Sequence, residues 1–579
     1  MTEPIIIKNW ELGIADSPHK GLGLMRNVDI DSFPGAVKTV KKPGTYFHSI
    51  TTRTFTADAA SNVCTASDTL EANGVNFGGA AVYFTTTTTL PAGLSTNTIY
   101  FLIYVSATTF KVATSYKNSV GSSAGTAIDI TDAGTGTHTI NQIAIGTINW
   151  VLQEPRLSYY YMLSSNGRTW FVPSGTTAYL LNHASIDTAA SGLTNASGQG
   201  MALSSFSSTT GTWLFVFRNA KIDILNIYST TEIEAVSWTD EWASDMNSTA
   251  GSGNSHHAIN GQDNIIYYCD DRWIGSIKEV TTFDPANGAT YTHSTQALDL
   301  PPREIAQCLE ELGVNLLIGG NTFNIIYPWD RISDSYNLPL QVPEYGIKRM
   351  KNLGSVVYIL AGTWGNIYAT QGSYVRHFRK LPIYLTNNAG TIQSNPITWG
   401  GIAAANGTIL FGVTTVTSGN AGVWRLYTDG RLIIDNVPSS GSANVIGLWA
   451  QNDFYIMGYS GGADNFSSNV SSTKLYDNYE TVIHSGLYQV ATKLEKGTFS
   501  RLEVVLAKPA TLGNVRVGYR EDMSSSFTTL DTFTCDAAAV TFTSESIGLI
   551  DIDKIQLQVE MNDGVGAVDV ELVEVRLLP

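Results

Sequence analysis

A hairpin of aromatic and β-branched residues recurs along the middle of the chain. Its copies begin at residues 159, 213, 264, 315, 356, 408 and 453, a mean step of about 49 residues. A period of about 40–50 residues with four short strands per unit is typical of β-propeller blades. The paired segments are Tyr159–Leu163 with Thr169–Val172, Trp213–Phe217 with Ile222–Ile227, Asn264–Cys269 with Trp273–Ile277, Asn315–Ile318 with Phe323–Tyr327, Val356–Leu360 with Asn366–Ala369, Thr408–Val413 with Gly422–Tyr427, and Asp453–Met457 with Thr473–Tyr476.

Further strands flank these hairpins. Ile397–Ala405 precedes the turn Asn406-Gly407, and Arg431–Asn436 follows the turn Asp429-Gly430. Turns of this kind are hairpin signals, because Gly and Asn reach positive φ at little steric cost. The pattern predicts an all-β protein with a propeller, for which seven blades fit better than six. A large β-sandwich and a β-solenoid are the alternatives.

Two regions with a different sequence pattern flank the repeats. Residues 52–141 carry short β-branched strands such as Thr109–Ala113, and we expect a small β-sandwich inserted in a loop. In the last hundred residues, Ile555, Leu557 and Val559 alternate with polar residues, which places them on one buried face. The predicted division is an N-terminal arm with the first propeller strands (1–51), the insert (52–141), the propeller (142–478) and a jelly-roll-like C-terminal sandwich (479–579).

Charge and composition narrow the classes of function. There are 34 basic and 50 acidic residues, a net charge of −16, and no run rich in Lys and Arg. A protein that grips DNA by its phosphates needs a basic patch, so we expect DNA to be at most a passing partner. Only 15% of residues are charged, less than the roughly 25% usual for soluble domains, which favours assembly with neighbouring subunits.

Targeting and redox signals are weak. No stretch of about 18 apolar residues occurs, and the start, Met1–Lys8, does not have the pattern of a signal peptide. We therefore expect no membrane insertion. The four scattered cysteines, Cys64, Cys269, Cys308 and Cys535, are expected to be buried free thiols made in a reducing cytosol.

Two segments carry a resemblance to a known family. The opening Trp10–Pro18, followed by Leu24–Ile30 and Phe33–Val37, resembles the start of propeller-type virion proteins of tailed bacteriophages. Those proteins have an asparagine-containing strand and then a Gly-Ala pair, here Asn27 and Gly35-Ala36, ahead of a propeller and a terminal sandwich. The insert, through Leu90–Phe101, Phe110–Ala113 and Asp129–Thr139, is similar to immunoglobulin-like (Ig-like) domains of phage tail and capsid proteins.

The resemblance implies a role in the virion, in a protein made in the host cytoplasm. The nearest role in the family is the tail hub or nozzle of short-tailed phages, a ring, usually sixfold, through which DNA leaves. The implied partners are further copies of the chain in a ring, with a hexamer favoured, and neighbouring tail or adaptor proteins and tail fibres. From the residues we expect no cofactor, no metal and no catalytic residue, and DNA that passes without specific binding.

Enzymatic alternatives rest on few residues. The stretch Ser164–Trp170 resembles the Asp-box of sialidases, but it has Asn166 for the aspartate and is one residue short. The carboxylates Asp240 and Glu241 could serve acid–base chemistry, although Trp238–Trp242 fits an exposed acidic loop better.

A metal site and a carbohydrate site are the remaining alternatives. His256, His257, Asp263, Asp270 and Asp271 could bind a metal, but adjacent histidines on a strand face opposite ways. The 12 Trp and 27 Tyr could stack on sugars, which makes a receptor- or carbohydrate-binding tail protein the runner-up and a glycan-cleaving propeller the third alternative.

Overall fold

The computed structural model describes most of the chain between residues 4 and 579. The described residues exclude 9, 11–12, 15–21, 31–34, 40–43, 72–75, 121–124, 157, 174–176, 182–199, 206–210, 219–220, 228–237, 248–255, 280–290, 383–396, 415–420, 439–443, 453, 468–480, 486, 491–495, 511–512, 523–524, 536–537 and 563–569. Outside those gaps the structure is built from β-strands, with one short helix at Tyr116–Ser119. Among the described residues no helix has the length and apolarity needed to cross a membrane.

Six antiparallel sheets of four strands and four strands of a larger sheet form the seven blades of a β-propeller, which confirms the predicted fold and the favoured blade count. From inner to outer strand, blade 1 consists of Ile148–Glu154, Tyr159–Ser164, Thr169–Val172 and Tyr179–Leu181; blade 2 of Gly200–Leu203, Trp213–Arg218, Lys221–Asn226 and Trp238–Ala243; blade 3 of Ala258–Asn260, Ile265–Asp270, Trp273–Glu279 and Tyr291–Asp299; blade 4 of Ala306–Leu312, Asn315–Gly320, Ile325–Trp329 and Leu340–Gln341; blade 5 of Ile347–Leu353, Val356–Ala361, Asn366–Thr370 and Val375–Lys380; blade 6 of Thr398–Ala405, Thr408–Thr414, Gly422–Tyr427 and Leu432–Asn436; and blade 7 of Gly447–Gln451, Phe454–Tyr459, Gly462–Ser467 and Gly44–Thr45.

The N-terminal arm closes the ring of blades. Gly44–Thr45 is the outer strand of blade 7, and the inner strand of that blade packs against the inner strand of blade 1. We expected residues 1–51 to hold the first strands of the propeller. The strand that they contribute, Gly44–Thr45, instead completes the last blade. The seventh predicted hairpin needs a correction, because Phe454–Tyr459 pairs with Gly462–Ser467. Its predicted partner, residues 473–476, lies outside the described residues.

Apolar side chains fill the spaces between neighbouring blades. Separate buried clusters lie between blades 1 and 2, 2 and 3, 3 and 4, 4 and 5, and 6 and 7, and those between blades 5 and 6 and between blades 7 and 1 extend into the flanking modules. Between blades 2 and 3, for example, the rings of Phe217 and Tyr268 lie 4.9 Å apart. Because both faces of a blade are covered, a middle strand such as Trp213–Arg218 is buried along its whole length.

The insert is a closed barrel of six strands. Its strands are Arg53–Asp58, Val63–Ala66, Ala81–Thr86, Tyr100–Tyr104, Thr109–Ala113 and His138–Gln142, and each pairs with two neighbours. The Ig-like sandwich that we expected here is therefore not confirmed. Closure pairs the strand edges that a sandwich leaves open, and the rings of Phe55, Phe84 and Phe110 fill the interior.

The barrel is docked on blade 1. Its entering and leaving chains lie side by side, because the Gln142 side chain donates to His48 O at 2.6 Å and accepts from Ile50 N at 3.0 Å. The ring of Tyr116 lies 5.1 Å from Phe171 and 4.4 Å from Tyr179 of blade 1. We call Phe171 and Tyr179 the barrel dock.

The C-terminal strands form a jelly-roll sandwich, as predicted. Thr481–Ser485, Lys554–Asn562, Asn514–Arg520 and Thr528–Thr534 make one sheet, with Tyr488–Gln489 pairing at Lys554–Asn562; Val37–Thr39, Glu571–Leu578, Gly497–Leu506 and Thr541–Ile552 make the other, extended by Val28–Asp29 and Ile5–Ile7. This order is that of an eight-stranded jelly roll whose first strand comes from the N-terminal arm. Ile555, Leu557 and Val559 are buried as expected.

The same arm joins the sandwich to the propeller. Leu22–Arg26 pairs with Thr481–Ser485 on one side and, in parallel, with the outer strand of blade 6 at Ile434. Ile14 N donates to Leu432 O at 2.7 Å, and buried Trp10 donates through Nε1 to Val573 O at 2.6 Å. One hydrogen-bonded sheet of ten strands therefore runs from blade 6 into the sandwich.

Candidate functional site

The acidic segment of blade 2 is a strand. Trp238–Ala243 is the outer strand of the blade, so the prediction of an exposed loop at Trp238–Trp242 is wrong. The sequence favours exposure at Asp240 and Glu241, which do face solvent. The strand forms because its backbone pairs with Lys221–Asn226 across an irregularity in the register.

These carboxylates are held in ion pairs. Arg218 Nη2 lies 2.8 Å from Asp240 Oδ1, and Lys221 pairs with Glu241. Arg218 also pairs with the fully buried Asp223, whose other oxygen accepts from Glu241 N at 2.8 Å. The arrangement locks the two outer strands of blade 2 together, which is a structural use of the acidic pair rather than one in acid–base chemistry.

The two adjacent histidines serve different neighbours. His256 Nδ1 lies 2.9 Å from Cys269 O, within blade 3. His257 Nδ1 accepts from Leu309 N of blade 4 at 3.2 Å. The rings thus point to different blades, as expected for successive positions on an extended chain.

The nearby aspartates are also separated. Asp263 accepts from Tyr267 Oη at 2.7 Å, whereas buried Asp270 accepts from Asn247 N at 2.7 Å. Asp271 occupies a turn with φ of 60°. Over the described part of the chain, no three His, Cys, Asp or Glu side chains are placed to hold a metal ion.

The segment that resembles an Asp-box is a structural turn. Ser164 Oγ donates to Asn166 Oδ1 at 2.5 Å, and Asn166 Nδ2 donates to Ala144 O at 2.9 Å. Arg168 is fully buried and donates through Nη1 to the same carbonyl at 2.8 Å. The turn therefore anchors the chain that enters blade 1.

A chain of polar groups that links the end of blade 2 to blade 3 was not apparent from the sequence. The Tyr268 hydroxyl contacts His293 Nε2, and His293 Nδ1 lies 3.3 Å from Asp245 Oδ1. Burial raises the pKa of Tyr268 and lowers the pKa of His293, so both groups are neutral near pH 7. The Tyr268 side chain is fully buried, so its hydroxyl is not accessible from solvent.

An axial cluster of Trp150, His257 and Arg349 lies at the centre of the propeller. The Trp150 and His257 rings lie 5.0 Å apart, and Arg349 Cζ is 5.7 Å from the Trp150 ring centroid. These residues come from blades 1, 3 and 5, so they can meet only in the centre of the ring. Burial, with the charges of Arg349 and Lys351, holds the pKa of His257 well below its usual value.

Positive charge collects around this cluster. The inner strand of blade 5 carries Lys348, Arg349 and Lys351, all partly exposed. Lys351 Nζ lies 3.2 Å from a carboxylate oxygen of Glu310 on the inner strand of blade 4. Lys348 Nζ instead donates to the side-chain oxygen of Asn321 at 2.8 Å.

Exposed apolar side chains concentrate on blades 4 and 5. The turns that join the first strand of a blade to the second, and the third to the fourth, lie on one face of the propeller and carry Val314, Ile332, Leu338 and Tyr374. The turns that join the second strand to the third, and one blade to the next, lie on the other face and carry Phe323, Tyr345 and Trp364. Ile332 is 89% exposed and Leu338 83% exposed. Contiguous patches of exposed apolar side chains mark contact surfaces.

Comparisons with solved structures find propellers. The chain is similar to the β-propeller domain of Cps50 (Swd1) of Myceliophteria thermophila, with 8% identity over 56% of this chain and 99% of that one and a TM-score of 0.39. It is similar to the WD40 repeats of RRP9, with 11% identity, 56% and 94% coverage and a TM-score of 0.40, and to the WD40 propeller of Doa1, with 9% identity, 57% and 95% coverage and a TM-score of 0.37. No protein-family model and no curated protein matches the sequence. The propeller assignment rests on the strand pairing of the seven blades.

Proposed function

We propose that the chain is a structural virion protein of a tailed bacteriophage, a tail hub or nozzle subunit that forms a ring around the DNA exit channel. The N-terminal resemblance supplies the phage context. The observation that carries the mechanical role is the continuous sheet of ten strands that joins blade 6 to the jelly roll. A wall around a pressurised channel needs modules that do not hinge, and shared strands prevent hinging.

The ring surrounds the DNA, which does not pass through the propeller itself. The axial cluster lies across the centre of each propeller, where its rings and guanidinium are in contact. A B-form duplex, whose major groove alone is about 12 Å wide, cannot enter such a space. The proposed channel is therefore formed between subunits, and the net charge of −16 lets DNA move along it without sticking.

The contacts of the proposed ring are assigned by surface chemistry. Further copies of the chain, in a ring of six by resemblance, and neighbouring adaptor proteins and fibres would cover the exposed apolar side chains of blades 4 and 5. The barrel precedes blade 1 in the chain, most strands of the jelly roll follow blade 7, and both modules offer additional contacts. The protein acts as a scaffold and not as an enzyme in this proposal.

The test is the number and place of copies in the particle. Quantitative mass spectrometry of virions, calibrated on the portal protein, should give several copies per particle, six for a sixfold ring. Antibodies against the insert should label the tail end in electron micrographs. One copy per virion, or labelling of the capsid shell alone, would contradict the nozzle role.

A receptor- or carbohydrate-binding tail protein is the second candidate, supported by two exposed aromatics. Trp364 and Tyr345 are 59% and 74% exposed, and the carboxylate of Glu344, the residue before Tyr345, accepts from Trp364 N at 3.4 Å. Exposed rings beside a polar side chain are suited to stacking on sugars. Binding of host surface polysaccharide that is lost in Trp364→Ala and retained in Tyr374→Ala would favour this alternative, since Tyr374 is as exposed on the opposite face.

A further inference from the structure

We propose that copies of the chain join edge to edge, with the outer strand of blade 5 in one copy paired to an edge strand of the jelly roll in the next. The first strand, Val375–Lys380, is named the basic edge, and the second, Thr541–Ile552, the acidic edge. The proposal gives the proposed ring a specific contact and rests on the proposed function for the closure of that ring. The pairing itself needs only two copies of the chain.

Both strands have one open side. The basic edge pairs with Asn366–Thr370 and the acidic edge with Gly497–Leu506, and among the described residues neither has a strand on its other side. An open side presents a row of backbone N–H and C=O groups, which is a template for a strand of another chain. Each edge can therefore accept one further strand.

The other outer strands of the propeller are less suited to such pairing. Those of blades 4 and 7 have only two residues, and that of blade 6 pairs with the N-terminal arm. The outer strand of blade 1 has three residues and carries Tyr179 of the barrel dock. Those of blades 2 and 3 are longer, but their carboxylates are held in ion pairs within the chain.

Positive charge is concentrated on the basic edge, although the chain as a whole is acidic. Four of its six residues are Arg376, His377, Arg379 and Lys380, and the net charge of the chain is −16. Arg379 donates to Ile14 O at 2.9 Å, which ties the strand to the N-terminal arm. Arg376 is exposed, and within the described residues neither Arg376 nor Lys380 is in an ion pair. These two cations can therefore serve an acidic partner.

The acidic edge carries carboxylates without a cation. Glu545 and Asp551 are exposed, the strand has no Lys or Arg, and neither carboxylate is in an ion pair in the described part of the chain. Residues 541–545 pair with residues 501–505 in unbroken register, so this part of the edge is straight. The register becomes irregular from Ser546, whose φ is 95°. The straight part, which ends at Glu545, is the part that we assign to the contact.

The two edges lie far apart within one copy. The sheet that leaves blade 6 runs through five further strands to Thr528–Thr534, which contacts the acidic edge. At about 4.8 Å per strand, this side of the jelly roll lies about 24 Å from blade 6. Blade 5 is the neighbour of blade 6, and no strand pairing joins the two edges among the residues that the structure describes. The pairing is therefore assigned to different copies.

Opposite charge selects the pairing of unlike edges. Two basic edges or two acidic edges would place like charges side by side, which is unfavourable, whereas one of each brings cations to carboxylates. The contact also shields Tyr374 and Val540, which directly precede the two edges and are 66% and 40% exposed. A contact between two different surfaces is heterologous, and it generates a ring when its rotation closes.

The test is sedimentation equilibrium of the full chain and of two charge-reversal variants, Arg376→Glu and Glu545→Arg. Wild type should associate as its concentration rises, and each variant alone should associate at least about tenfold more weakly, because it places like charges on facing edges. An equimolar mixture of the two variants should form dimers, since each variant retains the edge that the other lacks. Lys278→Glu is the matched control, because Lys278 is exposed on blade 3 and its substitution changes the net charge as Arg376→Glu does.

Amide hydrogen exchange locates the contact. Association should slow exchange in residues 375–380 and 541–545 and leave the outer strand of blade 3 unchanged. The proposal is overturned if wild type or the mixture stays monomeric up to about 0.1 mM, or if Lys278→Glu weakens association as much as Arg376→Glu. Association without slower exchange in both edges would also overturn it, because the copies would then meet elsewhere.

The outcomes also separate this contact from the role in the virion. Dimers in the mixture together with a single copy per virion would refute the nozzle role and leave the edge pairing intact. Several copies per virion of a chain that stays monomeric when purified would refute the edge pairing and leave the nozzle role intact.

Discussion

Two ion pairs in blade 6 share the same Nε–oxygen distance and differ in burial. Arg425 Nε lies 2.7 Å from Asp435 Oδ1, and Arg431 Nε lies 2.7 Å from Asp429 Oδ2. The side chains of the first pair are 14% and 8% exposed, and those of the second are 31% and 55% exposed. Burial alone would lower the pKa of Arg425, but the Asp435 carboxylate raises it, so the guanidinium stays charged.

We expect Asp435→Asn to lower the free energy of unfolding by about 3–5 kcal/mol, because it leaves a buried guanidinium without its counter-charge. It also disturbs the bond that Asp435 accepts from Tyr455 Oη of blade 7 at 2.6 Å. Asp429→Asn should cost less than about 1 kcal/mol, since water screens the exposed pair. The double variant Arg425→Met/Asp435→Leu should recover at least half of the loss, because it removes both buried charges.

Urea unfolding followed by circular dichroism measures these differences, with the slope of the transition checked against wild type. Equal shifts of the midpoint in Asp435→Asn and Asp429→Asn would refute the reasoning, because breaking the buried pair should cost much more than breaking the exposed one. A double variant as unstable as Asp435→Asn would show that the loss comes from the contact with blade 7 and not from the unpaired charge.

Three further predictions concern the insert, the acidic strand and pH. Replacing residues 52–141 by a short Gly/Ser link should leave a folded, β-rich propeller, because the chains that enter and leave the barrel lie side by side. The variant should bind a hydrophobic dye through the uncovered barrel dock, and loss of soluble protein would contradict this prediction. Purified protein should release no sugar, and Asp240→Asn with Glu241→Gln should leave particle assembly unchanged; sugar release abolished by that double variant would show an enzyme. Burial lowers the pKa of His484 from 6.5 to about 3, so its contribution to stability is complete above pH 6.5 and is lost as the pH falls toward 3. Melting temperatures of His484→Gln should therefore fall less steeply than wild type across that range, and parallel curves would contradict the assignment.

Much of the propeller could be read from local signals. Six of the seven hairpins are found where the pattern of aromatic and β-branched residues predicts them. Asn406, a turn residue of blade 6, has φ of 45°. Turn positions can be predicted from sequence because few residue types adopt positive φ at low energetic cost. The seventh hairpin was wrong because the true partner, Gly462–Ser467, is rich in Gly, Asp and Asn, which strands usually avoid.

The candidate chemistry was less predictable. Asp240 and Glu241 could be recognised as exposed acids, but their cations, Arg218 and Lys221, lie on the neighbouring strand, and nothing in the sequence assigns that pairing. Trp150, His257 and Arg349 are separated by about a hundred residues from one to the next, with no local motif. A cluster assembled from three blades depends on the angle at which each blade enters the ring, and that angle is set by packing between the blades.

The sequence by itself determined the all-β class, the repeat and its turns, since alternation and turn chemistry act between residues close in the chain. Only the tertiary structure decided how the ends are used: Gly44–Thr45 closes blade 7, and Val37–Thr39 starts a jelly roll whose other strands begin at Thr481. A short strand pairs with whichever open edge the folded chain brings beside it. The identity of that edge depends on contacts more than four hundred residues apart in sequence, which no local pattern encodes.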